Sequence, residues 1–154
     1  MATYLINISL IVIAFITMEV IAWLLHKYIM HKYLWYFHSD HHIPHAKKYE
    51  RNDFFGLIFG IPSWLLIMFG VMGGNDFRLY LGIGITLYGA CYLLIHDGLI
   101  HQRIKIFTNT NNRWLLGLKK GHLAHHKHDS DSNYKKENDI CFGMLWVPRK
   151  FFKN

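Results

Sequence analysis

Apolar positions run along this chain in three long blocks, 4–25, 54–73 and 77–95, separated by shorter stretches dense in polar and aromatic residues. Each block reaches the roughly 20 residues that a helix needs to cross a hydrocarbon core about 30 Å thick. The first has no basic residue ahead of it and no small-residue cleavage pattern behind it, so it reads as an uncleaved helix and not as a secretory signal. The second and third are joined by Gly73, Gly74, Asn75 and Asp76, which predicts a tight helical hairpin. Gly82, Thr86 and Ala90 recur every fourth residue of the third block. Such a stripe of small side chains lets two helices approach closely in lipid, though apolar composition alone accounts for it equally well.

Composition agrees with a membrane setting, since 52% hydrophobic and 16% aromatic residues are high for a soluble chain of 154 residues. The pattern therefore predicts an all-α integral membrane protein with three to four transmembrane helices, in a single domain over 1–154. Of the 17 lysines and arginines, only Arg78 lies in the hairpin, and none precedes His26. The rest fall in 26–53 and from 101 onward, which three crossings place on one face, so that face and the C-terminus are expected to be cytoplasmic. Topology thus accounts for the net charge of +7, and nucleic-acid binding is not indicated. Cys91 and Cys141 form no Cys-x-x-Cys pair and read as packing residues.

The 12 histidines change the picture. Ten of them fall in four short windows: His26 and His31; His38, His41 and His42; His96 and His101; and His122, His125 and His126. A lone histidine at a helix end is usually a cap or an interface residue, but four windows on one membrane face point to metal. In HSDHH and HLAHH the ring at position i shares a helical face with those at i+3 and i+4. The five-residue pairs point roughly 140° apart on a regular helix, so each must straddle a gap between helices or be realigned by a π-helical bulge. Ten imidazoles exceed what two tetrahedral zinc ions of about four ligands each would use. They fall about two short of filling two six-coordinate ions, and open positions on a redox metal are what dioxygen chemistry needs. The expected cap is a di-metal centre, with two iron ions the first choice and zinc possible as a substitute.

Four carboxylates are candidates to accept the histidines' other ring protons: Asp40, Asp53 and Asp97 beside or near the windows, and Glu19 inside the first apolar block. Glu19 lies seven residues before His26, on the same helical face and about 10 Å deeper. It reads either as a functional anion or as a protonated carboxyl bonded across the helix bundle. The apolar stretch 140–147 is too short to span and reads equally as an interfacial lid or as a tail packed on the cytosolic cap.

The four windows, in this order, resemble the histidine boxes of the membrane fatty-acid hydroxylase superfamily. The stretches WLLHKYIMH, LWYFHSDHHIPH, YERNDFF, HDGLIHQR, GHLAHH and CFGMLW, from Trp23 to Trp146, are similar to the β-carotene 3-hydroxylases of bacterial carotenoid pathways. The loop 104–113, with its TNTNN run, and the lysine-rich tail after His126 depart from that pattern. The resemblance implies that the ten boxed histidines bind two irons in a bacterial inner membrane. It also implies a monooxygenase that uses dioxygen at the 3-position of a β-ionone ring, giving β-cryptoxanthin and then zeaxanthin, with an acyl or sterol lipid as the alternative substrate. Nothing in the sequence suggests a nicotinamide, flavin or iron–sulfur motif, so electrons are expected from an external donor such as ferredoxin, drawn to the basic face.

Overall fold

The computed structural model describes residues 1–43, 49–130 and 141–153, the side chains of 128–130 excepted. His45 and the side chain of His128 therefore lie outside the described residues. The described chain is helical and contains no strand. Helix α1 spans Ala2–Leu24 and continues as a π-helical turn over Leu25–Met30. Helix α2, Trp35–His42, is followed by a 3₁₀ turn, Arg51–Asp53, that leads into α3, Phe54–Met72. Helix α4, Phe77–Leu93, again runs on as a π-helical stretch, Leu94–Ile100. Helix α5 covers Arg113–Ser130, and a last 3₁₀ turn occupies Arg149–Phe152.

Three continuous helices, Ala2–Met30, Arg51–Met72 and Phe77–Ile100, are long and apolar enough to cross a membrane. Their outward residues, among them Leu5, Ile13, Ile16, Leu57, Ile61 and Trp64, are exposed, as suits an apolar solvent. The predicted hairpin forms: Gly74 and Asn75 adopt positive φ, and the Asp76 carboxylate accepts the backbone N–H of Arg78 to cap α4.

Helix α4 packs against both α1 and α3, and two glycines let it do so. A Cβ on Gly82 would stand 2.9 Å from both the Ile67 nitrogen and the Ser63 oxygen of α3, and one on Gly84 would stand 2.5 Å from the Ile11 oxygen of α1. The Ser63 hydroxyl adds a bond of 3.0 Å to the Gly82 carbonyl and meets Thr86 Oγ1 at 2.6 Å. The small-residue stripe is therefore a packing face at Gly82, joined to α3 by the Thr86 hydroxyl, while Thr86 and Ala90 are otherwise exposed. Between α1 and α3, floored by α4, lies a cleft of about 830 Å³.

The other packed core lies beyond the ends of the long helices. Ile95, Leu99 and Ile100 meet Leu118 of α5 and Cys141, Met144 and Val147 of the C-terminal segment. The described part of the stretch 140–147 is thus a strap packed on that core, and its Phe142 and Met144 also line the cleft. Its inward side chains fill that core, while Trp146 points away from it.

Candidate metal centre

All ten boxed histidines converge where the long helices meet α2 and α5. The five-residue spacing is solved by helix type. The N–H of His31 bonds the carbonyl of His26 at 3.3 Å, and that of His101 bonds His96 at 2.9 Å, both i→i+5. One wide turn therefore places both imidazoles of each pair on the same side. Each triplet divides instead. On α2, His38 and His42 turn one way and His41 the other; on α5, His122 and His126 turn one way and His125 the other.

Two sets result. In the first, His26, His31, His38, His42 and His125 bring their ligand atoms within 4.8 Å of one another. The Nε2 atoms lie 3.0 Å apart for His26–His38 and for His38–His42, and 3.1 Å apart for His26–His125 and His31–His125. The second set is His41, His96, His101 and His122. His126 joins it at 2.9 Å from His122, beside separations of 2.9 Å for His41–His96 and 3.2 Å for His101–His122. The sets abut through the stacked rings of His42 and His126, whose centroids are 4.3 Å apart.

These contacts are not ordinary hydrogen bonds. His26 donates its Nδ1 proton to the Phe142 carbonyl at 2.9 Å, and His38 donates to Asn52 Oδ1 at 2.7 Å. His41 donates to Glu50 Oε2 at 2.9 Å, and His96 to Asp97 Oδ1 at 2.6 Å. A neutral imidazole carries one ring proton, so in these four the Nε2 atom holds only a lone pair. In the pairs His26–His38 and His41–His96, two lone pairs therefore face each other with no proton between them, an arrangement that calls for a cation. Burial disfavours the protonated form of seven of the rings: it pushes His38 down to about 4, His126 to about 3 and His101 to about 2, and it holds His41, His42, His122 and His125 well below the usual imidazole range. Nitrogens about 2.1 Å from one ion stand about 3.0 Å apart at right angles and about 3.4 Å apart in a tetrahedron. The observed 2.9–3.2 Å fits ions with more than four ligands.

Among the oxygens behind the rings is that of Asp97, which accepts the Nδ1 proton of His96. Asp53 does not reach an imidazole. The 3₁₀ turn Arg51–Asp53 faces it outward, where it takes two bonds of 2.8 Å from Arg103, and these hold the guanidinium firmly protonated. Asp40 accepts the backbone N–H of Arg51 at 2.8 Å and its Nε at 3.2 Å. Glu19 meets Tyr88 and the strap, with no imidazole among its partners. Sequence reasoning missed Glu50, Asn52 and the Phe142 carbonyl, although ERND and CFGMLW were both singled out. Arg103 links the carboxylates, lying 3.3 Å from Asp97 and 3.8 Å from Glu50. In the second set His41 and His96 are thus backed by carboxylates, and in the first set His26 and His38 by neutral oxygens.

Long apolar helices that carry two sets of clustered imidazoles at their ends can hold metal at the boundary of a membrane. The chain belongs to the fatty acid hydroxylase family, whose model matches residues 11–143. A beta-carotene hydroxylase of Pantoea ananas is 37% identical over 142 residues, covering 92% of this chain and 78% of that protein. Another, from Pseudescherichia vulneris, is 37% identical over 93% of this chain and 78% of its own length. The chloroplastic beta-carotene hydroxylase 2 of Capsicum annuum is 31% identical over 81% of this chain and 39% of that protein. No solved structure matches the chain.

Proposed function

We propose that the chain hydroxylates the 3-position of the β-ionone ring of β-carotene, giving β-cryptoxanthin and then zeaxanthin, with two irons held by the ten histidines. The observation that carries this reading is the cleft. It runs from His26, His38 and His96 along α1, α3 and α4 to Trp64, Ile67 and Ile85, and its walls are apolar for most of that length. From Ile85 to His96 it follows eleven residues, about 16 Å of helix. That length takes an ionone ring with part of its polyene, leaving the rest in lipid. The bacterial relatives' names, over nearly the whole chain, favour this substrate above an acyl or sterol lipid.

When bound, such irons would supply the activation of dioxygen that insertion into an unactivated C–H bond requires. One oxygen atom enters the substrate. The other leaves as water, with two electrons and two protons delivered from outside. The chain's own residues do the rest. Glu50, Asp97, Asn52 and the Phe142 carbonyl hold the Nδ1 protons, so that Nε2 lone pairs face inward. The apolar cleft excludes water and presents the ring end-on to His26, His38 and His96.

Expression in a bacterial host that accumulates β-carotene tests the substrate. The expected pigments are β-cryptoxanthin and zeaxanthin; unchanged β-carotene beside newly hydroxylated acyl or sterol lipid would replace this reading with the alternative. The metal face and the C-terminus lie in the cytoplasm on this reading, where an acidic electron carrier such as a ferredoxin meets the basic surface. A reporter after Asn154 is then cytoplasmic and one inserted at Gly74 is external. Finding both on one side would refute the orientation.

A further inference from the structure

We infer that Glu19 is a positioning residue for one half of the metal centre: it clasps the strap 141–147, which carries the oxygen that orients His26. The inference rests on the metal-binding reading of the histidines but not on the identity of the substrate.

Glu19 is only 7% exposed, in a helix otherwise built for lipid. All of its contacts are made as an acceptor. Oε1 receives three successive backbone N–H groups, from Met144 at 3.0 Å, Leu145 at 2.9 Å and Trp146 at 2.8 Å. Oε2 receives the Tyr88 hydroxyl at 2.9 Å. Consecutive amides turned toward one oxygen form an anion-binding concavity, filled here by a side chain from a helix more than 120 residues away in sequence. Gly143 makes the closure possible, since a Cβ there would stand 2.9 Å from Glu19 Oε1 and 2.8 Å from the Trp146 carbonyl.

One residue before that glycine, the strap delivers Phe142 to the first histidine set. Its carbonyl accepts the Nδ1 proton of His26 at 2.9 Å. Its ring lies 5.5, 5.4 and 4.9 Å from the rings of His26, His31 and His125, all in the first set. The oxygens found behind His41 and His96 in the second set come from Glu50 and Asp97, which are not on the strap. Opening the clasp therefore reaches the first set directly, through Phe142, and the second only through the apolar packing of the strap on Ile95, Leu99, Ile100 and Leu118. With the three amides released, the Phe142 carbonyl loses the polar restraint on its direction and keeps only the strap's apolar packing, so the partner that selects the tautomer of His26 is loosened.

The test counts Fe(II) bound by the purified full-length chain in detergent and follows hydrogen exchange at the amides of Met144, Leu145 and Trp146. The wild type binds two ions per chain and protects all three amides. Glu19→Leu exposes the amides and retains one ion, the other being weakened roughly 10- to 100-fold, as is usual when an outer partner is lost. Glu19→Gln keeps an acceptor oxygen for the amides and restores both protection and the second ion. Gly143→Ala leaves Glu19 in place but pushes the strap away, and gives the same single-ion result even where the leucine variant fails to fold. Exposed amides with two ions still bound would overturn the inference, as would Gly143→Ala with both protection and stoichiometry intact. A wild type that binds no iron would instead sink the metal-binding reading on which it rests.

Discussion

Alanine in place of His38 abolishes hydroxylation, lowering product per folded protein by well over 100-fold. His38 is 2% exposed, and its Nε2 lies 3.0 Å from those of both His26 and His42, at the middle of the first set. Removing it takes away a ligand atom and leaves Asn52 Oδ1 without the ring proton it accepts at 2.7 Å. Asn52→Ala is the graded control. It keeps the imidazole and removes only its orienting oxygen, so its loss falls in the 10- to 100-fold range of outer partners. The order of the two effects is what matters. Were the histidines merely packing groups, activity per folded molecule would be nearly unchanged in both variants, and only the yield of folded protein would fall. Product analysis normalised to protein recovered in the membrane, together with bound iron, separates these outcomes.

The asymmetry behind the rings bears on how the two sets share the work. Carboxylates raise the basicity of the imidazoles they back more than neutral oxygens do, so His41 and His96 are more electron-rich than His26 and His38. Arg103 moderates this by bridging Asp53 and Asp97 at the rim, which ties the loop after the second π-turn to the base of α3. The cleft reaches rings of both sets, His26 and His38 of the first and His96 of the second.

Much of this was legible in the sequence because lipid imposes simple rules. Blocks of about 20 apolar residues became helices, Gly73 to Asp76 became their turn, and ten histidines in four windows converged. The division of the windows was not legible, because it depends on which way α2 and α5 face one another. The i, i+5 pairs were ambiguous for a definite reason: regular helix geometry forbids what a π-turn allows, and nothing in LHKYIM or LIHDGLI announces that turn. Asp53 stands among the sequence's candidates, and Glu50 and Asn52 of the same stretch do not. A 3₁₀ turn of three residues reverses that assignment, burying Asn52 and exposing Asp53. The Phe142 carbonyl leaves no trace in sequence, since every residue has one. Glu19 does sit on the face of His26, but the strap comes between them, and that contact spans more than 120 residues.

Acid destabilises the metal-free protein progressively below about pH 6.5, and bound metal offsets the loss only at the upper end. An imidazole in the unfolded chain takes up its proton near 6.5. In the folded protein, burial holds His38 at about 4, His126 at about 3 and His101 at about 2. Below 6.5 the unfolded state therefore binds more protons than the folded state, so the stability of the fold declines as pH falls and levels off for each group below its folded value. His38 alone accounts for a loss of a few kcal/mol across its window. Metal needs the same lone pairs that protons claim, so the extra stability of the iron-loaded form is largest near neutrality and shrinks as protons compete. Thermal unfolding in detergent, with and without iron, should show melting temperatures that fall and converge as pH is lowered from 7 to 4. His38→Leu should make the metal-free curve less steep above pH 5 by one group's share, the other lowered imidazoles keeping the rest of the slope. A wild-type metal-free protein whose melting temperature is constant from pH 6.5 to 5 would show that these imidazoles take up protons in the fold as readily as in water, and the argument from facing lone pairs would fail with it.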